Sequence, residues 1–409
     1  GDDQFPEQAP GFIVRGKGCH VWDVDGNEFI EYGMGCRAVT LGHAFEPVVA
    51  AAQRELVNGC NFSRPAPIEM ECAETLLSMI EGQDMAKFVK DGSSATTAAV
   101  KLARAITGKD KVALCADHPF FATNDWFIGT TEMNAGIPES TIANSLAFSY
   151  NDIDSLESLF AARGDEIACV ILEPAKYEDP RDQFLHKVKE CCHRNNALFI
   201  LDEIITGFRW HNGGAQKRYG IEPDLSTFGK ALANGFSVSA LLGKKEHMEI
   251  GGLHHDRERV FLLSTTHGAE THALAATIAT MQVYQNEPVI ETLQKQGARL
   301  RDGVLQVVGA HNMSDYIDIV GKPECLVFGT RDADKKPSQF FRALFMQELI
   351  KRGVLGPSFI ISYSHSDEDV DKTIDAVDGA LTHYARGLEE GVEHYLTGHP
   401  TQIVYRKFN

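Results

Sequence analysis

Read for its apolar and polar positions, the chain changes period several times. Residues 12–32 predict a hairpin: Val21-Trp22-Asp23-Val24 and Glu28-Phe29-Ile30-Glu31-Tyr32 alternate around Asp25-Gly26, a strong turn signal. Residues 46–58 and 67–81 then carry apolar positions at helical spacing, with Glu or Gln on the other face. Between about 85 and 245 short apolar runs end at turn residues and alternate with helical stretches. The runs close on Phe88-Val89, 112–115, 168–172, 198–201, 225–228 and 237–243, and helices are expected to about 104, over 151–163 and over 183–195. Such alternation predicts an α/β fold with a mostly parallel sheet and helices on both faces. A long helical region follows from about 270 to 285. Beyond 290 the texture changes to amphipathic helices, 291–308 and 338–352, and short strands such as 324–328, so a domain boundary is placed near 290. Residues 387–409 read as a C-terminal extension, and no internal repeat is found.

Composition narrows the partners more than the fold. The formal net charge is -18 and no run of Lys or Arg stands out, which argues against nucleic acid or an anionic membrane surface. No apolar stretch approaches a bilayer span, and the first residues do not resemble a signal peptide. The nine cysteines include no Cys-x-x-Cys, and the sixteen histidines no His-Glu-x-x-His. Reduced, mostly buried thiols in a cytoplasmic protein are expected, with no metal site.

The chemistry gathers where the central runs end. Leu198-Phe199-Ile200-Leu201 empties into Asp202-Glu203-Ile204, and an acid at that end sits where open α/β sheets bind ligands. Leu225-Ser226-Thr227-Phe228-Gly229 leads to Lys230, an amine placed as Schiff-base chemistry requires. Phe88-Val89 runs through Lys90-Asp91 into Gly92-Ser93-Ser94 and an Ala-rich helix. Gly there permits close backbone approach, and free N–H groups at a helix start favour an anion, although a plain serine cap gives the same pattern. Asp117-His118-Pro119-Phe120-Phe121 offers aromatics on a loop after a strand, able to cover a flat ligand or simply to anchor the loop. Gly33-Met34-Gly35-Cys36-Arg37-Ala38 superficially matches a dinucleotide loop. It follows an antiparallel hairpin and opens no helix, so that match is rejected.

Taken together, these residues resemble class III aminotransferases of the fold type I pyridoxal-phosphate (PLP) enzymes, with particular similarity to glutamate-1-semialdehyde aminomutase. The likeness runs from Trp22-Asp23-Val24-Asp25-Gly26-Asn27 through Leu41-Gly42-His43 to Asp369. It implies a large PLP-binding domain over 46–290 and a smaller domain built from both chain ends, 1–45 and 291–409. It implies Lys230 as the lysine condensed with PLP and Asp202 as the partner of the pyridine nitrogen. Ile204 packs on one ring face, and Phe120 is the candidate for the other, with His118 or Phe121 as alternatives in a loop longer than the family's. Gly92, Ser93 and Ser94 match the phosphate turn, and Thr266 a threonine that reaches the phosphate of a neighbouring subunit, which implies a homodimer with shared sites. Arg15 and Arg37 are candidates for a substrate carboxylate, and Glu173 matches a glutamate near cofactor and substrate. The partners implied are a small amino donor, such as glutamate, and a carbonyl acceptor.

Residues 128–140 are shorter than the mutase lid and lack its Ser run, and Ala233-Asn234-Gly235-Phe236 departs from its glycine-rich turn. An open site favours ordinary transamination over the mutase reaction. The departures look like those of envelope-sugar aminotransferases, so a carboxylated sugar such as an oxidised octulosonic (Kdo-type) acid, in lipopolysaccharide biosynthesis, is the expected acceptor.

Overall fold

In the computed structural model the described residues are 4–117, 122–175, 177–260, 266–404 and 406–407. They divide into two compact units: the N-terminal stretch to Phe45 with Pro288–Arg406, and Glu46–Glu287.

The first unit opens with β1 (Ile13–Lys17), β2 (His20–Asp23) and β3 (Glu28–Glu31), paired antiparallel in that order. Val21 faces Phe29 across the predicted hairpin. Its turn is closed by Asp23, whose Oδ1 accepts from the amides of Asp25 and Asn27 at 3.0 and 2.8 Å.

The larger unit carries β4 (Met85–Val89), β5 (Lys111–Cys115), β6 (Ser145–Phe148), β7 (Ile167–Leu172), β8 (Leu198–Asp202), β9 (Leu225–Phe228) and β10 (Ser239–Gly243). Their order across the sheet is β4-β10-β9-β8-β7-β5-β6. Only β10 runs against its neighbours, so the sheet is mostly parallel. Each central strand is buried along its whole length, as a sheet covered on both faces requires. Successive side chains feed opposite cores. Cys169, Ile171, Leu198 and Ile200 join the helix Gly92–Thr107, while Val170, Leu172, Phe199 and Leu201 join the helices Ile153–Arg163 and Phe184–Arg194. The antiparallel β10 is the departure from uniform alternation: β9 reaches it through the short turn after Lys230, with no crossover helix between.

The first unit resumes with β11 (Ile317–Lys322) and β12 (Cys325–Thr330), a hairpin, and β13 (Val354–Leu355), which pairs parallel with β3. A 24-residue helix, Asp367–Glu390, follows. Ser366 caps it, donating to Asp369 Oδ2 and accepting from the Asp369 amide. The stretch expected as an extension from 387 therefore begins inside this helix.

Candidate active site

The C-terminal ends of β8, β9 and β4 hold the candidate chemistry of the larger unit. Asp202 ends β8, is 3% exposed, and stands opposite Thr227 in the parallel register. It accepts from the Ile204 amide at 2.9 Å and the Thr227 hydroxyl at 3.2 Å, both on Oδ1. The other oxygen, Oδ2, receives no hydrogen bond from the described residues. Burial pushes the Asp202 carboxyl up to about 6, against the opposing pull of the Ile204 amide, the Lys230 ammonium and the Thr227 hydroxyl. The Lys230 charge offsets only part of the cost of burying this anion. A cationic N–H at Oδ2 would offset more of it.

Lys230 opens a short 3-10 turn, Lys230–Ala233, directly after β9. Its φ is +46°, a left-handed conformation that costs a non-glycine residue about 1–3 kcal/mol. Strain of this kind, at the end of a central strand and beside a buried acid, marks a site where position matters more than local comfort.

Ile204 is 7% exposed and lies between two glycines. A Cβ on Gly92 would meet the Ile204 side chain at 3.1 Å, and one on Gly229 would meet it at 3.0 Å. The Gly229 Cβ would also come within 2.4 Å of Ser239 Oγ. Gly229 is therefore required for close approach around Ile204, while a Cβ on Gly92 would need Ile204 to give by a few tenths of an ångström. Gly229→Ala is expected to destabilise the protein by about 1–3 kcal/mol, as overpacking does, and to weaken cofactor retention by displacing Ile204. Urea unfolding checks the first effect; a variant as stable as the parent would show that the space exists.

At the end of β4 the cap of the helix Gly92–Thr107 is Asp91, whose carboxylate accepts from the Ser94 amide at 2.8 Å and the Ser94 hydroxyl at 3.1 Å. Ser94 thus serves the cap itself. The Ser93 hydroxyl accepts from the Thr123 amide at 3.0 Å, holding the following loop to the helix start. The amides of Gly92 and Ser93, in the first turn, keep the anion-favouring position.

The other expected residues fall as follows. Glu173, 3% exposed, comes directly after β7, next to β8. Thr266 is exposed, four residues before Glu270, the cap of the helix Thr271–Asn286. Phe120, with its alternatives His118 and Phe121, lies outside the described residues. Arg15 and Arg37 belong to the first unit. The Arg15 guanidinium stacks 4.4 Å over the Trp22 ring, and Arg37 Nε donates to Cys325 Sγ at 3.3 Å.

Sequence reading did not single out three contributors. Thr227 lies beside Asp202, and its place follows only from the β8–β9 register. Glu203 is fully buried and accepts from Thr206 Oγ1 and the amides of Ala215 and Gln216; burial pushes it up to about 7. Lys90 Nζ pairs with Glu270 at 2.5 Å, and His267 Nδ1 lies 2.9 Å from the same carboxylate, tying the end of β4 to the 266–270 segment.

Comparison with known proteins decides what this arrangement belongs to. Residues 6–381 match the model of the class III aminotransferases. The chain is a member of that family. This class III aminotransferase is 32% identical over 392 residues to a glutamate-1-semialdehyde 2,1-aminomutase of Francisella philomiragia, covering 90% of each chain. It is 31% identical over 393 residues to a 3-aminobutyryl-CoA aminotransferase of Cloacimonas acidaminovorans, covering 94% of this chain and 92% of that one. Among solved structures it resembles the PLP internal aldimine form of the FumI protein of Sphingopyxis sp. MTA144, at 29% identity and a TM-score of 0.86, with 95% and 92% of the two chains covered. The seven-stranded sheet is accordingly that of a fold type I enzyme, and the protein is a PLP-dependent enzyme of the aminotransferase class. Its residues fit the cofactor: a buried carboxylate whose second oxygen can take a cationic N–H, a lysine whose charge reaches that carboxylate, and an apolar Ile204 approached closely by two glycines.

Proposed function

We propose that this enzyme exchanges an amino group and a carbonyl on a small carboxylated substrate, with Lys230 and Asp202 as its catalytic pair. Asp202 carries the proposal. A carboxyl buried to 3% exposure and pushed up by desolvation is well suited to hold the proton of a pyridine nitrogen. When bound, PLP supplies the reactive carbonyl and the electron sink. Lys230 anchors it and then, as a free amine, moves the proton at the substrate carbon, a step typically worth about 10²–10⁴-fold. Ile204 supports one face, and the Gly92–Ser93 amides receive the phosphate. Arg15 or Arg37 would take the substrate carboxylate, and Glu173 would border it. An aromatic among 118–121 would cover the other face.

For the reaction itself, the relatives support the 2,1-aminomutase better than the octulosonic-acid acceptor expected from the sequence. The amino group leaves C2 and arrives at C1 of glutamate 1-semialdehyde, and the carbonyl moves the other way, so the reaction is an isomerisation. Transfer between two molecules, to a carboxylated sugar aldehyde, is the second reading. It is favoured by the short 128–140 segment, which links the helix Asp125–Ile128, held by Trp126 Nε1 donating to Thr97 Oγ1 at 2.8 Å, to the helix Glu139–Ile142. PLP-loaded enzyme given glutamate 1-semialdehyde alone is expected to produce 5-aminolevulinate over many turnovers, measured as the pyrrole formed with a diketone. If that product is missing while glutamate and a sugar aldehyde exchange their amino group, the second reading stands instead.

The resemblance at Thr266 supports a homodimer with shared sites, which sedimentation would test. All nine cysteines are free, in keeping with a reducing, cytoplasmic setting. Among the described residues no helix is long and apolar enough to cross a membrane.

A further inference from the structure

We propose that Cys19, His20 and Asp369 form a zinc-binding site in the first unit, one that the amino-group chemistry does not use. Cys19 and His20 are neighbours at the entry to β2, and Asp369 lies in the first turn of the helix Asp367–Glu390. Cys19 Sγ is 3.3 Å from Asp369 Oδ2, His20 Nε2 is 3.0 Å from Asp369 Oδ1, and the three ligand atoms lie within 4.8 Å of one another. Thiolate, imidazole and carboxylate are the donors zinc takes. Tetrahedral bonds of about 2.0 Å to N and O and about 2.3 Å to S set N···O near 3.3 Å and S···O near 3.5 Å. The two contacts to Asp369, one on each of its oxygens, therefore lie within a few tenths of an ångström of these separations, and the Cys19–His20 pair is within 4.8 Å.

A second observation points the same way. Glu28 Oε1 lies 2.8 Å from His20 Nδ1, so an outer carboxylate already fixes the ring with Nε2 turned toward Asp369. This is the arrangement that orients metal-bound histidines. The site is also held in advance. Cys19 is 1% and Asp369 6% exposed, and the Ser366 amide and hydroxyl bond Asp369 Oδ2 at 2.9 and 2.6 Å. A cavity of about 510 Å³, bordered by His20, Glu28, Lys372 and Asp375, reaches the histidine side of the cluster. Its cations are already matched, Lys372 by Glu368 and Arg352 by Glu348, each at 2.8 Å.

On binding, a Zn–S bond replaces the Cys19 S–H bond and the proton leaves to solvent. The His20–Asp369 contact gives way to two metal bonds. The ion would join residues 350 positions apart, fastening the first hairpin to the last long helix.

Tag-free holoenzyme dialysed against zinc and then against metal-free buffer is expected to keep about one ion per chain. Cys19→Ser, which retains a donor to Asp369, and His20→Gln are each expected to lose it by at least about tenfold, within the range for removing a metal-site partner. Both should keep the parent's circular dichroism. Cobalt should give a sulfur-to-metal absorption in the difference spectrum of the parent against Cys19→Ser. A parent that retains no zinc, or a Cys19→Ser variant that retains as much as the parent, overturns the proposal.

Discussion

Lys230→Ala is expected to remove turnover by at least about 10⁴-fold and to abolish the visible absorbance of lysine-bound cofactor, while the protein remains folded. The side chain is asked for two things: to anchor the cofactor and to move the proton at the substrate carbon. Losing the second alone removes a general base; losing the first leaves the cofactor held only by its phosphate, ring nitrogen and faces. The fold should survive because Lys230 is a partly exposed residue on a turn, not a core position. Its ammonium also lowers the Asp202 carboxyl, so the variant should shift that group further upward. Lys230→Arg keeps the charge, yet a guanidinium does not form the same bond, and it should be equally inactive. An active alanine variant would mean that another lysine does the work.

The second large effect belongs to Asp202→Asn, and it has opposite signs for activity and stability. In the loaded enzyme the amide cannot hold the ring proton as an anion can, and the rate should fall on the order of 10³-fold, as when a focused electrostatic contact is removed. In the cofactor-free protein the same change should stabilise. Burial raises the Asp202 carboxyl from 3.8 to about 6. Below the ordinary value both folded and unfolded chains carry the proton. Between about 4 and 6 the unfolded chain releases it first, so stability falls as pH rises, by about 3 kcal/mol in total, and stays lowered above 6. Asparagine removes this loss and can still accept from the Ile204 amide and the Thr227 hydroxyl. The urea midpoint of the variant should therefore pull ahead of the parent between pH 4 and about 7 and then run parallel. Glu203, raised to about 7 mainly by burial and in small part by the Asp202 charge, titrates slightly lower in the variant, which adds to the gap up to about pH 7. A gap independent of pH would contradict the burial argument, and activity retained within a few-fold would contradict the catalytic one.

How far the sequence carried this picture depended on whether a feature was local. The strands at 112–115, 168–172 and 198–201 were legible because an apolar run bounded by turn residues needs only its own sequence. The Asp25-Gly26 turn was legible for the same reason. Lys230 and Asp202 could be placed because both stand at strand ends, where open sheets collect ligands. What depends on pairing could not be read. Nothing in Ser237–Gly243 shows that β10 runs antiparallel between β4 and β9, which brings Ser239 against Gly229, and nothing local gives the β8–β9 register that places Thr227 beside Asp202. That Asp91 is the cap could not be read either, because Asp, Gly and Ser are all acceptable at a helix start and only the dihedral angles choose among them. The Cys19–His20–Asp369 cluster was invisible for the plainest reason: adjacent residues met a partner 350 positions away.

The most direct test is to reduce the holoenzyme with borohydride, digest it, and find the lysine that carries the cofactor. A bond at position 230 makes the pyridoxyl group permanent there, and mass spectrometry should place nearly all of the label on the peptide containing Gly229-Lys230-Ala231. Label on any other lysine, or none on a protein that still turns over, would contradict the account.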